Sequence, residues 1–225
     1  MTEKPLIEPE EIMVRVVLTG KSPLLMHHPC TADPDDEASV LIAEIAAKGK
    51  TMTKEDRRRK GAIQWRAALY TDEVKDDDGV LRERVIVPMM WLSRAWEEGG
   101  KTLGSGTASK GAAVVRSVTP TESLMRLKYD GPQDIAELAA DPLFRHKAMV
   151  NPNPTGGKKK LLPSVRPIFP VQAKWELTTD FSVVTSMGLS WDDFQRASHA
   201  AGNIGIGDAR KLGYGRFRVR ITKLR

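Results

Sequence analysis

The sequence holds one cysteine, Cys30, among its 225 residues. An internal disulfide and a cysteine-built zinc site are therefore excluded. No apolar run approaches the roughly 18 residues that a membrane-spanning helix needs. The opening residues, MTEKPLIEPEE, are acidic and lack the apolar core of a signal peptide. A cytoplasmic protein with no membrane partner is expected. A Walker loop, a dinucleotide fingerprint following a strand and a Ser-His-Asp order are also absent. No internal repeat or low-complexity linker divides the chain. A single domain over residues 1–225 is expected, with insertions near 30–80, 99–111 and 149–162.

Hydrophobic residues make up 40% and charged residues 28%, ordinary values for a globular protein with one sizeable core. The net charge of +6 is unevenly placed. Residues 141–225 carry 15 Lys and Arg against 6 Asp and Glu, while residues 1–140 carry 20 against 23. A basic C-terminal part on a nearly neutral body points to a polyanion, most simply nucleic acid.

Apolar alternation predicts a strand over Ile12–Thr19, with Ile12, Val14, Val16 and Leu18 on one face. Helices are expected over Glu37–Lys48, from Thr53 as N-cap with Asp56 three residues on, and after Pro88. Met89, Leu92 and Trp96 fall on one face of that last helix and read as core. Gly99 to Gly111 reads as a loop, Ala112–Val118 as a strand, Arg84–Val87 and Lys174–Thr178 as strands, and Asp134–Ala140 as a short helix. A final helix begins at the N-cap Ser190, with Gly202 at its expected stop. In the last strand Phe217, Val219 and Ile221 alternate with Arg216, Arg218 and Arg220. The order of strands and helices fits an α+β, ferredoxin-like (RRM-type) core with an antiparallel sheet, inserted helices and basic flaps.

Between the last helix and the last strand lies Gly205-Ile206-Gly207-Asp208-Ala209-Arg210-Lys211-Leu212-Gly213-Tyr214-Gly215. Gly205, Gly207, Gly213 and Gly215 free the backbone for positive φ and close approach. Phosphate binding needs cations and accessible backbone N–H groups, and such a loop offers both. The candidate nucleic-acid contacts are these glycines with Arg210, Lys211 and Arg216, then Lys101, Lys110, Arg116, Lys158, Lys159, Lys160 and Arg166. Lys101–Lys110 and Asn151–Lys160 read as flaps. Aromatic residues are only 6%, with Tyr214 and Phe169 the candidates for stacking on bases. This favours backbone-dominated, sequence-tolerant binding. Arg57-Arg58-Arg59-Lys60 reads as a solvated helix face.

Candidates for catalysis are few. His27 and His28 are adjacent, so on a strand they face opposite sides and do not share a metal. Either could serve as a general base toward a ribose 2′-hydroxyl, because an imidazole exchanges its proton near neutral pH. Asp33, with Asp35 and Asp36, forms an acidic loop. No metal and no cofactor are expected, and a non-catalytic protein is favoured over a metal-independent endoribonuclease.

The spacing Gly-Ile-Gly, five residues, Gly-Tyr-Gly before a final strand resembles the glycine-rich loop of the RAMP superfamily. That superfamily supplies CRISPR effector subunits and guide-processing endoribonucleases. Val14–Met26, with Ser22-Pro23-Leu24, and Val87-Pro88 to Trp96 are similar to segments of its effector backbone subunits. The whole chain also resembles a group of phage and prophage proteins. That likeness rests on Ser22–His27, Tyr129–Pro132, Arg166–Pro170 and the glycine loop. The resemblance implies a ferredoxin-like core and single-stranded RNA as partner, with copies assembling into a helical filament or with other effector subunits. Single-stranded DNA binding in a phage setting is the alternative partner. It also implies a catalytic histidine at His27 or His28 if the chain is an endoribonuclease, and an aspartate near Asp33 if bound target is cut.

Overall fold

Alternation decides the first strand. Ile12, Val14, Val16 and Leu18 are buried while Glu11, Arg15 and Thr19 are exposed, so Glu11–Gly20 forms strand β1. The computed structural model describes residues 11–76, 78–150 and 162–224. After β1 the elements in chain order are β2 (Leu24–Leu25), α1 (Glu37–Ala47), α2 (Lys54–Ala68), β3 (Thr71–Lys75), β4 (Leu81–Pro88), α3 (Met89–Lys101) and α4 (Gly111–Ser117). Then follow β5 (Val118–Pro120), β6 (Leu124–Lys128), α5 (Ile135–Ala140), β7 (Arg145–Val150), β8 (Leu162–Phe169), β9 (Glu176–Val184), α6 (Trp191–Ile204) and β10 (Phe217–Lys223).

Strand β1 lies between β10 and β9 and pairs antiparallel with both, Val16 standing opposite Ile221 on one side and Thr179 on the other. The main sheet runs β10-β1-β9-β6-β4-β3, and β5 pairs with β9 beside β6. Taken with α3 and α6, the order β10-β1-β9-β6 is that of the ferredoxin-like βαββαβ plan. The fold is thus α+β with an antiparallel sheet.

Helices α3 and α6 pack on each other and on one sheet face. Trp96 of α3 meets Phe181 of β9 and Phe194 of α6 with ring centroids 4.4 and 5.5 Å away. Met89, Leu92 and Trp96 are buried, as their spacing predicts. Burial of each such side chain contributes about 1.5–3 kcal/mol before chain entropy is set against it. Both predicted N-caps form, each as a capping box: Thr53 with Asp56 starts α2, and Ser190 with Asp193 starts α6.

Three local readings are corrected. Residues 111–117 form helix α4, not a strand, although Val114 and Val115 are β-branched. Val114 packs so tightly on α3 that a Cβ at Gly100 would lie 2.9 Å from its Cγ2. Tertiary contact thus overrides strand propensity here. Helix α6 does not stop at Gly202 but continues to Ile204. Gly202 is there for packing, because a Cβ would come 2.6 Å from the Phe217 carbonyl oxygen. Strand β9 begins at Glu176, since Lys174 takes a left-handed conformation with φ 46°.

A second, three-stranded sheet runs β2-β8-β7, with Leu24 opposite Phe169 and His146 opposite Arg166. Helix α2 packs against β8, and the Trp65 indole N–H donates to the Phe144 carbonyl at 2.8 Å. This small sheet stands between α2 and the glycine loop.

Candidate nucleic-acid interface

The glycine loop is stitched to itself and to residues 23–25. Gly205 ends α6 with φ 87°. Ile206 N–H donates to the Gly215 carbonyl (3.0 Å), Gly215 N–H to that of Pro23 (2.7 Å) and Asp208 N–H to that of Leu25 (2.9 Å). Ile206 is fully buried and anchors the loop. A Cβ at Gly205 would lie 2.6 Å from the Tyr214 carbonyl oxygen, at Gly207 2.6 Å from that of Leu25, and at Gly215 1.8 Å from that of Ile206. All three have positive φ. Their glycine identity is accounted for by the chain packing on itself. Gly213 differs: at φ 90°, a Cβ there would approach only the Arg216 guanidinium, at 3.9 Å.

Four of the candidate cations are engaged. Arg210 donates two hydrogen bonds to Glu98 of α3, at 3.1 and 3.2 Å. Arg166 pairs with Asp208 and so ties β8 to the loop. Lys110 donates to the Gly188 carbonyl at 3.1 Å and faces Asp193 at 3.3 Å. Lys101 pairs with Glu97 at 2.5 Å, so the two adjacent carboxylates of α3 each hold one cation. The segment between Lys101 and Lys110, read as a flap, contains a 3-10 turn at Gly106–Ala108 and is closed by the Lys110 contacts.

Arg116, Lys211 and Arg216 are exposed and have no carboxylate partner among the described residues. Two further cations join Arg216. Lys21 N–H donates to the Arg216 carbonyl at 2.8 Å, and Arg218 stands on β10 opposite Thr19. Both are exposed. Sequence reasoning passed over Lys21 because it lies far from Arg216 along the chain, and only the β1–β10 pairing joins them. Ser22 Oγ accepts from Arg216 N–H at 2.8 Å and fixes this corner. Lys158, Lys159 and Lys160 lie outside the described residues.

Of the two stacking candidates, Phe169 is fully buried against Tyr129 and Phe144 and cannot meet a base. Tyr214 is half-buried beside the His146 ring, 5.8 Å between centroids. Trp91, a residue of α3 that nothing in the sequence singles out, lines a small cleft of about 90 Å³ with Arg94, Gly207 and Arg210.

His27 is half-buried, with Nε2 3.4 Å from Thr31 Oγ1 and Nδ1 buried without a hydrogen-bond partner among the described residues. Burial pulls its pKa below the ordinary value, Arg166 adds to that and Asp208 opposes it. It is thus a neutral imidazole near neutral pH. His28 Nδ1 accepts from Cys30 N–H at 3.1 Å and its ring packs on Tyr70. That bond makes it an N-cap. Asp33 is exposed and accepts from Asp35 N–H at 3.0 Å, while Asp36 caps α1 by accepting from Ala38 N–H at 2.9 Å. His27, Arg166 and Asp208 thus come together beneath the glycine loop, and Asp33 belongs to the turn before α1.

No family model matches this chain, and no curated protein matches it in sequence. Among solved structures, the crystal structure of Cmr6 from Pyrococcus furiosus is similar at 10% identity and a TM-score of 0.28, over 97% of this chain and 100% of that one.

Proposed function

We propose that this protein binds single-stranded nucleic acid, RNA in preference to DNA, along the corner where the glycine loop meets the start of β10. The observation that carries this reading is the group Lys21, Lys211, Arg216 and Arg218. They come from two parts of the chain, are exposed, and have no carboxylate partner among the described residues. Cations left without an internal partner are the ones that can neutralise phosphates and release counterions. The engaged pairs Arg210–Glu98 and Arg166–Asp208 act one step back, by holding the loop in shape. Gly213, where the backbone is open, lets a sugar–phosphate chain approach, and Tyr214 offers one ring to a base. With so little aromatic surface, binding is dominated by the backbone of the strand and tolerates sequence. The preference for RNA, and assembly of copies along the strand or with effector subunits, rest on the resemblance of the glycine loop to that of RAMP proteins.

Anisotropy titrations of labelled single-stranded RNA and DNA oligomers over a salt series test it. Affinity is expected to fall steeply with salt, with RNA bound more tightly. Failure to bind either strand at low salt overturns the reading.

A further inference from the structure

A second concentration of positive charge lies on the far side of the β7–β8 hairpin. Alternation along β8 sends Arg166 to one face and Val165 to the other. Opposite them on β7 stand His146 and Lys147 respectively. The first face meets Asp208 and Tyr214 of the glycine loop. The second faces α2, which comes so near that a Cβ at Gly61 would lie 3.1 Å from Val165 Cγ2.

Between α2 and this second face runs a groove of about 800 Å³. Lys54, Arg57, Arg58 and Lys60 line it from α2, and Arg145 and Lys147 from β7. No carboxylate lines it among the described residues. The neighbouring Asp56 is used in the capping box and by Lys48, and Glu55 comes only within 3.8 Å of Arg58. The arginine run on α2, which the sequence presents as a solvated face, is therefore half of a two-walled basic groove.

The apolar part of the lining decides what kind of anion fits. It comprises Met52, Pro142, Pro163 and Val165, the two prolines exposed and the other two half-buried. A nucleic-acid strand would satisfy the cations, but among the described residues no aromatic side chain lines the groove to stack a base. The aliphatic carbons of a phosphodiester backbone lie in small, oxygen-rich sugars, which cover such apolar surface poorly. Exposed apolar side chains set among cations instead suit a protein partner, whose aliphatic side chains can cover them. We propose that this groove docks an acidic segment of a partner protein. Its Asp and Glu side chains meet Lys54, Arg57, Arg58, Lys60 and Lys147, while Arg145 donates to the Ala139 carbonyl, and an aliphatic side chain covers Pro142, Pro163 and Val165. The site is independent of the nucleic-acid corner, which lies on the other face of the hairpin.

The test uses the full chain and two labelled probes: a dodecapeptide with glutamates flanking a Leu-Ile-Leu centre, and a dodecamer of uridylate. The peptide is expected to bind, and unlabelled uridylate is expected not to displace it. Arg57→Glu with Arg58→Glu, both exposed positions, weakens the peptide by about tenfold or more, and so does Lys147→Glu on the opposite wall. Replacing the peptide's Leu-Ile-Leu by serines has a similar effect. Lys211→Glu with Arg216→Glu leaves peptide binding unchanged. The proposal is overturned if the peptide does not bind at low salt, or if the groove variants bind it as well as the parent. It is equally overturned if uridylate displaces the peptide and loses affinity in the groove variants, which assigns the groove to nucleic acid.

Discussion

The guanidinium of Arg210 lies against the carboxylate of Glu98, donating to its two oxygens at 3.1 and 3.2 Å. One basic residue of the glycine loop is thus bound to helix α3, while the next, Lys211, is exposed to solvent. The two have different roles although they are neighbours in sequence. Arg210→Ala is expected to cost roughly 0.5–1 kcal/mol, the range of a well-aligned, partly exposed pair. A double-mutant cycle with Glu98→Gln, read by urea denaturation, checks this. Coupling indistinguishable from zero would show that the pair does not hold the loop.

Lys211→Glu with Arg216→Glu should leave stability unchanged and weaken strand binding. Each phosphate contact on a single strand contributes about 0.7 to the slope of log affinity against log salt. Losing two contacts should lower that slope by about 1.4. An unchanged slope would remove these residues from the interface.

Gly215 has φ 67°, and a Cβ there would lie 1.8 Å from the Ile206 carbonyl oxygen. Gly215→Ala is expected to destabilise the protein by more than about 1 kcal/mol, since it adds a clash to an unfavourable φ. Gly213→Ala carries the φ penalty without the clash and should cost less. Thermal melts of both variants rank them, and an equal loss would contradict the packing argument.

His27 gives a pH dependence with a defined sign. Burial and Arg166 hold its folded pKa below the unfolded value of about 6.5. The unfolded chain therefore takes up the proton first as pH falls. The stability tied to neutral His27 is fully present above about 6.5 and is lost as pH falls toward the folded pKa. Asp208 and His28 also act on this ring, the first opposing the shift and the second adding to it. Melting temperatures between neutral and mildly acidic pH should fall less steeply in His27→Gln than in the parent. Parallel curves would refute the assignment.

What was legible in the sequence was local. Alternation in β1, the capping boxes at Thr53 and Ser190 and the face of Met89, Leu92 and Trp96 depend on residues within a few positions of each other. They fold as their periodicity requires. The order of such elements was enough to reach an antiparallel α+β sheet. The three-dimensional arrangement decided which cations are available. Arg210, Arg166 and Lys110 meet Glu98, Asp208 and Asp193 from distant parts of the chain, and Lys21 reaches Arg216 only through strand pairing. It also made Ala112–Ser117 helical and turned the glycines of the loop toward Tyr214, Leu25 and Ile206. The physical reason is the same throughout. Periodicity and capping are interactions along the chain, whereas neutralisation of a charge and exclusion of a Cβ depend on whatever the fold places next to them.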